Sequence, residues 1–220
     1  MNRILRGLCC VFLVFVLALA GCGGGNSGPS QVTTQILSDP ALDGDIAQDP
    51  VSGAFTVTEG NTQSVFAGIN PASGVEYRAF LDFPLFGTGG VPGNAVIVSA
   101  FLDIVINNID PQPLSGTIPI RIDLVSFRPP TLIGSDFSRT IQPAIVSTTI
   151  IPPISQADFG RHVLVDVTSL MKDAQSLGLA DLQLRILEDF TAAAPGRIEI
   201  GDTTGPNRST LAPLLEVTYF

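Results

Sequence analysis

The side chains that could carry catalysis begin with the only histidine of the chain, His162. It lies four residues before Asp166, and on an extended segment both side chains point to the same side. A Ser-His-Asp triad would also need a serine that converges on this pair, and the sequence has no G-x-S-x-G turn to supply one. An exposed strand histidine is the alternative, and we predict that the protein is not an enzyme.

Carboxylate pairs are inevitable among twenty acidic residues, and Asp82, Asp103 and Asp123 fall at polar positions of alternating segments. Two carboxylates in a cleft could act on a glycosidic bond as general acid and as base or nucleophile. Arg78 and Arg121 fall at neighbouring polar positions, so cross-strand ion pairs are the structural alternative. We interpret these aspartates as members of ion pairs.

Four aspartates lie close together within residues 37–49, at Asp39, Asp43, Asp45 and Asp49. Calcium takes about six to eight oxygen ligands, and a loop of aspartates that contains a glycine could supply some of them. The spacing is not that of an EF-hand, which ends in glutamate. Two interpretations follow, a calcium site or a solvated acidic segment leading into the domain. No other cofactor is expected, because a single histidine leaves too few ligands for a transition metal.

Phenylalanine supplies the flat aromatic surfaces of this chain, which has no tryptophan. Phe80 and Phe101 fall opposite the alternating apolar positions of their segments, while Phe86 and Phe127 lie in or beside loops. Phe80, Phe101 and Phe127 are therefore candidates for a platform on which a sugar ring stacks. The alternative is that such rings pack beneath a second layer of loops or contact a partner.

Strands must position these side chains, because apolar residues recur at every second position along much of the chain. The alternating segments are 77–83, 98–106, 118–124, 163–167, 182–186, 198–200 and 215–219. Loops rich in glycine and proline separate them. One helix is expected after Thr168 or Ser169, which could cap it, and Gly178 could close it. We predict an all-β, jelly-roll-like antiparallel β-sandwich with one short helix over residues 54–220.

The composition narrows the class of protein further. The chain has 220 residues and a formal net charge of −9, with 45% hydrophobic and 14% charged residues. A disordered polar chain would have fewer apolar and more charged residues. A nucleic-acid partner is not expected, because an acidic protein repels phosphate.

Residues 1–21 predict an export signal. Arg3 and Arg6 precede an apolar run over residues 8–20, which is shorter than the roughly 20 residues that span a bilayer. The run ends in L-A-G-C at residues 19–22, which resembles the lipobox of bacterial lipoproteins. The resemblance implies cleavage before Cys22, a diacylglyceryl thioether on its sulfur and acylation of the new amine. An ordinary secretory signal that ends near a cysteine is the alternative.

The exported chain would then keep Cys22 as its only cysteine, because Cys9 and Cys10 leave with the signal. Nine basic residues would face twenty acidic ones, a net charge of −11, so the acyl chains rather than the protein surface make the membrane contact. In enterobacterial lipoproteins the glycines after the cysteine imply the outer membrane, and we expect anchoring there or at the cell surface. Residues 22–53 are interpreted as a flexible tether and entry segment.

Four segments together resemble a known family. They are YRAFLDF at 77–83, VPGNAVIVSAFL at 91–102, VDVTSL at 165–170 and APLLEVTY at 212–219. Their order is similar to that of the DNRLRE-type, disaggregatase-related domain of secreted bacterial and archaeal proteins. The resemblance implies a jelly-roll β-sandwich, and some relatives are carbohydrate-binding modules of polysaccharide-degrading enzymes.

Together these features predict a non-catalytic, lipid-anchored envelope module that binds polysaccharide at the cell surface. An acidic domain should favour neutral sugars, or anionic ones only through calcium. The alternative is a structural or assembly lipoprotein that binds another envelope protein. An enzyme with carboxylate chemistry ranks last, because no motif supports it.

Overall fold

The computed structural model describes residues 30–111, 113–127, 131–189 and 195–220. Within these ranges the strands are β1 Val32–Leu37, β2 Gly44–Gln48, β3 Phe55–Glu59, β4 Ser64–Ile69, β5 Glu76–Pro84, β6 Ile97–Pro111, β7 Ile120–Val125, β8 Val146–Thr149, β9 His162–Asp166, β10 Asp181–Glu188, β11 Gly196–Gly201 and β12 Leu214–Tyr219. The α-helices are α1 Thr168–Ser176 and α2 Arg208–Leu211, and short 3-10 turns cover Gly134–Phe137 and Gln156–Asp158.

All described strand pairs are antiparallel, and the 15-residue strand β6 belongs to two parts of the curled sheet. Its first half lies between β12 and β9, and β12 also pairs with β1. We call these four strands the front sheet. The second half of β6 pairs with β11, and the order continues through β4, β5, β10, β7 and β8. We call this part, which β2 and β3 join through β5, the back sheet.

The main core combines inward side chains from both sheets. Ala100, Leu102 and Ile104 of β6 have no exposed surface, and they belong to one cluster with Leu81 and Leu184 of the back sheet. Burying one such leucine contributes about 1.5–3 kcal/mol. The period-two pattern therefore identifies the core side of these strands correctly, and the predicted all-β, sandwich-like fold is confirmed.

A second, smaller core lies on the outer side of the back sheet, beneath the chain between β7 and β8. It contains Phe80 from β5, Phe127 and Phe137 from this covering segment, and their neighbours. The rings of Phe80 and Phe127 meet edge to face, with centroids 5.5 Å apart. Such an arrangement favours aromatic pairs beyond their burial alone, so this segment is an integral part of the fold.

The sheet begins earlier than the sequence predicts. Residues 22–53 were expected to be a tether and entry segment, but β1 pairs with β12 over six positions and β2 lies between β3 and β5. The domain therefore starts at Val32 rather than at residue 54. Short strands with few alternating apolar residues are hard to separate from loops by periodicity.

A second difference concerns Val98, which the period-two pattern places on the core side but which is exposed. The register shifts there, because Ser99 lies opposite Thr218 whereas Ile97 lies opposite Tyr219. Val98 is thus the extra residue of a bulge, and Ile97 takes the buried position in its place. Residues on the far side of a bulge therefore face the side of the sheet opposite to the one that simple alternation predicts.

The described helices are too short and too polar for any of them to cross a bilayer.

Candidate functional site

Phe101 is the candidate aromatic residue that reaches solvent. It alternates on β6 with the buried residues Ala100 and Leu102, so its ring lies on the outer side of the front sheet, half-buried. Its partners in register are Asp166 on β9 and Glu216 on β12. Opposed residues of an antiparallel pair have Cβ atoms about 4.5–5.5 Å apart, so one aromatic ring stands between two carboxylates.

Phe80 and Phe127 do not contribute to a sugar platform. Both are buried in the second core, and a ring without exposed surface cannot stack on a sugar. The structure corrects the platform prediction for these two residues and agrees with its alternative, packing beneath a layer of loops. Phe86 is exposed, but it lies in the loop after β5, away from Phe101.

His162 and Asp103 lie on the same outer face as Phe101. The Nδ1 atom of His162 is 3.0 Å from both carboxylate oxygens of Asp103 on the neighbouring strand. His162 is exposed, as expected of a strand histidine, but its partner is Asp103 rather than Asp166. Among the described residues no serine hydroxyl forms a hydrogen bond with this histidine, so the pair is not part of a triad there.

An open cleft of about 410 Å³ adjoins Asp166 and is lined also by Thr148, Thr168, Ser169 and Lys172. Asp166 accepts a hydrogen bond of 2.9 Å from the backbone N–H of Thr168. Hydrogen bonds from Thr168 lower the pKa of Asp166, so its carboxylate is ionised at neutral pH. The cleft therefore combines hydroxyls, a carboxylate and an ammonium group.

The start of α1, which lines this cleft, differs from the prediction. Thr168 is the first helical residue rather than the cap, and its hydroxyl accepts a hydrogen bond of 2.9 Å from the backbone N–H of Ala100. This contact fixes the helix to β6 one residue before Phe101. Gly178 follows the helix with a φ of +65°, which confirms the predicted closing residue.

Polar side chains of β1 and β12 lie on the outer side of the front sheet, on the side of Phe101 away from the cleft. Gln35 on β1 donates a hydrogen bond of 2.9 Å from Nε2 to Glu216, and the hydroxyls of Thr33 and Thr218 are 3.0 Å apart. We call the whole surface the Phe101 face. Its members are Thr33, Gln35, Phe101, Asp103, His162, Leu164, Asp166, Glu216 and Thr218. It offers hydroxyl, amide and carboxylate groups around one half-buried ring.

The four aspartates of the predicted calcium site do not converge. Asp39 accepts from the N–H of Ala41, and Asp49 from those of Val51 and Ser52. Within the described ranges, no three His, Cys, Asp or Glu side chains are grouped to hold a metal ion.

Asp43 and Asp45 are buried, which corrects the solvated-segment interpretation. Asp45 accepts from the N–H of Phe66 at 3.3 Å, and burial raises its pKa to about 6. Asp43 accepts from the N–H of Asp82 at 2.8 Å and forms a side-chain hydrogen bond with Asp202. Burial and the neighbouring carboxyl raise the pKa of Asp43, and burial raises that of Asp202.

The predicted ion pairs are confirmed for Asp123. Its carboxylate lies 2.6 Å from Arg121 and 2.8 Å from Arg185. Asp82 instead accepts from the amide of Gln183 at 2.8 Å. These polar residues belong to the back sheet, under or beside the covering segment, and are therefore structural.

No family model matches the sequence, and no curated protein matches it either.

Proposed function

We propose that this protein is a non-catalytic, lipid-anchored envelope module that binds polysaccharide through the Phe101 face. The observation that carries the proposal is the half-buried ring of Phe101 on the outer side of the front sheet, between Asp166 and Glu216 and beside an open cleft. A sugar ring presents C–H groups to an aromatic face and hydroxyls to its surroundings. The carboxylates beside Phe101 can accept from those hydroxyls, and such charge-assisted hydrogen bonds are about twice as strong as neutral ones.

The charge of the face selects the class of sugar. Asp103, Asp166 and Glu216 surround the ring, and Lys172 in the cleft is the cation among these residues. The chain as a whole carries a net charge of −9, which repels polyanions. The proposed ligand is therefore a neutral polysaccharide whose chain lies along an open surface.

The sequence supports the remaining parts of the proposal. The lipobox-like residues 19–22 predict the anchor at Cys22, and the resemblance to DNRLRE-type domains implies a fold that some carbohydrate-binding modules share. The proposal assigns no reaction, because His162 contacts Asp103 without a nucleophile among the described residues.

Affinity gel electrophoresis in neutral polysaccharides, such as β-glucan, mannan and xylan, tests this function. We expect one of these gels to retard the wild-type protein. The Phe101→Ala variant should lose about tenfold or more in affinity, since burying a phenylalanine side chain in a complex contributes on the order of 1.5–3 kcal/mol. Phe159→Ala removes another exposed ring and is the matched control, which should bind like the wild type.

Two results would contradict the proposal: no retardation by any neutral or acidic glycan, or equal binding by the wild type and Phe101→Ala.

A separate observation supports the alternative function, an assembly lipoprotein. Leu164 is exposed on the Phe101 face, and its strand β9 pairs with β6 alone among the described strands. Such an edge can accept a strand from a partner protein. A photo-crosslinker at Leu164 that captures one envelope protein in cells would favour this alternative.

A further inference from the structure

One end of the sandwich exposes several large apolar side chains. Val32 is 47% exposed, Phe86 56%, Val96 54%, Leu177 57% and Phe220 44%. Single exposed apolar residues are common, whereas a group of them marks a surface that contacts a partner or a lipid. We call the surface formed by these five residues the apolar end.

Backbone and side-chain contacts bring these residues together. Val96 and Phe220 exchange backbone hydrogen bonds of 2.8 and 3.2 Å, and Val32 lies opposite Tyr219. The hydroxyl of Thr34 donates to the carbonyl of Gly89 at 2.6 Å, which joins β1 to the loop that carries Phe86.

Helix α1 joins the same end. The amide of Gln175 donates to the carbonyls of Pro92 and Ala95 at 3.1 and 2.9 Å, two residues before Leu177. Phe86 and Gln175 also line a small pocket of about 80 Å³ with Leu85, Val91, Gly93, Met171, Gly178 and Leu179. The apolar end is thus one continuous surface around the loop between β5 and β6.

The segments that form this end contain no Asp, Glu, Lys, Arg or His. They are residues 30–34, 84–98, 177–180 and 218–220. In a chain with 31 charged residues and a net charge of −9, such an end differs from the rest of the surface. The acidic side chain of Asp181 follows directly behind it in the sequence, and it disfavours anionic lipid headgroups.

The chain before β1 connects this end to the predicted anchor. Val32, the first residue of β1, lies ten residues after Cys22. Ten residues span at most about 35 Å even when fully extended. A lipidated Cys22 therefore keeps the start of β1, and with it the apolar end, within this distance of the bilayer surface by covalent connection.

We infer that the apolar end lies in the headgroup region of a zwitterionic bilayer and fixes the orientation of the domain on the membrane. The inference rests on the lipid anchor of the proposed function. Apolar side chains at the interface add to the acyl chains in proportion to the area that they bury. Phe101, five residues beyond Val96 along β6, then stands roughly 15 Å above the apolar end, so the Phe101 face remains open to polysaccharide.

An environment-sensitive fluorophore tests this orientation. The processed protein has no thiol besides Cys22, so Thr88→Cys labels the apolar end, and Ser115→Cys labels the loop beyond the other end of β6. The lipidated proteins are reconstituted in phosphatidylcholine vesicles. We expect a blue shift, and quenching by spin-labelled phospholipid, for the label at position 88. The label at position 115 should show neither.

Charge variants provide the controls. Phe86→Asp and, separately, Leu177→Asp should abolish the blue shift at position 88 while the protein still floats with the vesicles. Leu114→Asp, at a more exposed apolar position beyond β6, should leave it unchanged. A protein that floats with the vesicles but shows no blue shift at position 88 would overturn the inference.

Failure of the anchor gives a different result. Mass spectrometry would then find Cys22 unmodified, which contradicts the anchor of the proposed function. In that case Cys22 is a free thiol, so the label at position 88 is measured in the unlipidated protein that also carries Cys22→Ser, at high lipid concentration. A blue shift would support an interfacial surface on its own, and its absence would overturn the inference as well.

Discussion

Phe80 and Phe101 occupy equivalent outward positions on their strands but have different environments. Phe80 is covered by the segment between β7 and β8, whereas Phe101 faces solvent between Asp166 and Glu216. Local alternation reports which side of a strand a residue takes. It does not report whether a distant segment covers that side, and for this reason the sequence could nominate both residues but could not choose between them.

The neighbours of Phe101 could not be predicted from the sequence either, since they depend on the register in which the strands pair. Glu216 lies 115 positions from Phe101 along the chain, and Thr148 and Lys172 reach the cleft from β8 and α1. Each is an ordinary polar residue in an alternating or helical pattern. No spacing rule connects residues that meet only through strand pairing.

The buried carboxyl pair of Asp43 and Asp202 gives a prediction on pH. Both pKa values are raised in the folded protein, for Asp43 by burial and by Asp202, and for Asp202 by burial. A group whose folded pKa is raised stabilises the fold fully below its unfolded pKa of about 4 and loses this contribution as the pH rises through the folded value. The free energy of unfolding should therefore fall from the mildly acidic to the alkaline range.

Asp43→Asn removes one of the two titrating groups and retains the shape of the side chain. We expect the variant to show a weaker fall of the unfolding free energy with pH, and a gain on the order of a few kcal/mol at alkaline pH. Urea unfolding between pH 5 and pH 9 measures this, with Asp49→Asn as control. Hydrogen bonds from Ser52 lower the pKa of the exposed Asp49, so it titrates only at acidic pH. Equal slopes in Asp43→Asn and the wild type would contradict the assignment.

At the scale of elements, the segment between β7 and β8 is held by two arginines of the back sheet. Arg185 has no exposed surface and donates to the carbonyls of Asp136 and Gln142 at 3.1 and 2.9 Å. Arg78 donates to the carbonyl of Phe137 and lies 3.9 Å from the centre of its ring. The sequence places both arginines on polar strand positions, and the covering segment makes them buried.

Arg185→Met should release this segment. Removal leaves the Asp123 carboxylate with one arginine instead of two, and breaking a buried pair costs about 3–5 kcal/mol. We expect a fall of this order in the free energy of unfolding, and faster amide hydrogen exchange in residues 131–142. Arg121→Met is the control, because Arg121 is partly exposed and does not contact this segment. A loss no larger than that of Arg121→Met would show that Arg185 does not hold the segment.

The strands themselves were the most predictable elements. Segments such as 118–124 and 182–186 alternate strongly, and β7 and β10 lie within or across them. β1 and β2 were missed because the composition before them favours a tether, and their pairing partners lie far along the chain or in a later strand. Sequence periodicity therefore finds many of the strands that carry the core, but it also misses β4, whose Val65 and Ala67 belong to the main core.

For the whole molecule, the two proposed functional surfaces meet along β6. The apolar end reaches the start of β6 at Ile97, and Phe101 lies four residues further along this strand. With the apolar end at the membrane, the Phe101 face would stand side-on to the bilayer and be reachable by a polymer that runs parallel to it. The apolar end lies between the anchor and the Phe101 face, and for this reason the two proposals are compatible.

The most direct test of the central claim maps where a glycan binds. Amide resonances of the protein are followed by NMR during titration with neutral gluco-, manno- and xylo-oligosaccharides. We predict that at least one of these shifts the resonances of Phe101, Asp103, His162, Asp166 and Glu216 most strongly, and that Phe101→Ala removes these shifts. Shifts confined to other surfaces, or none with any of the three sugars, would contradict the account.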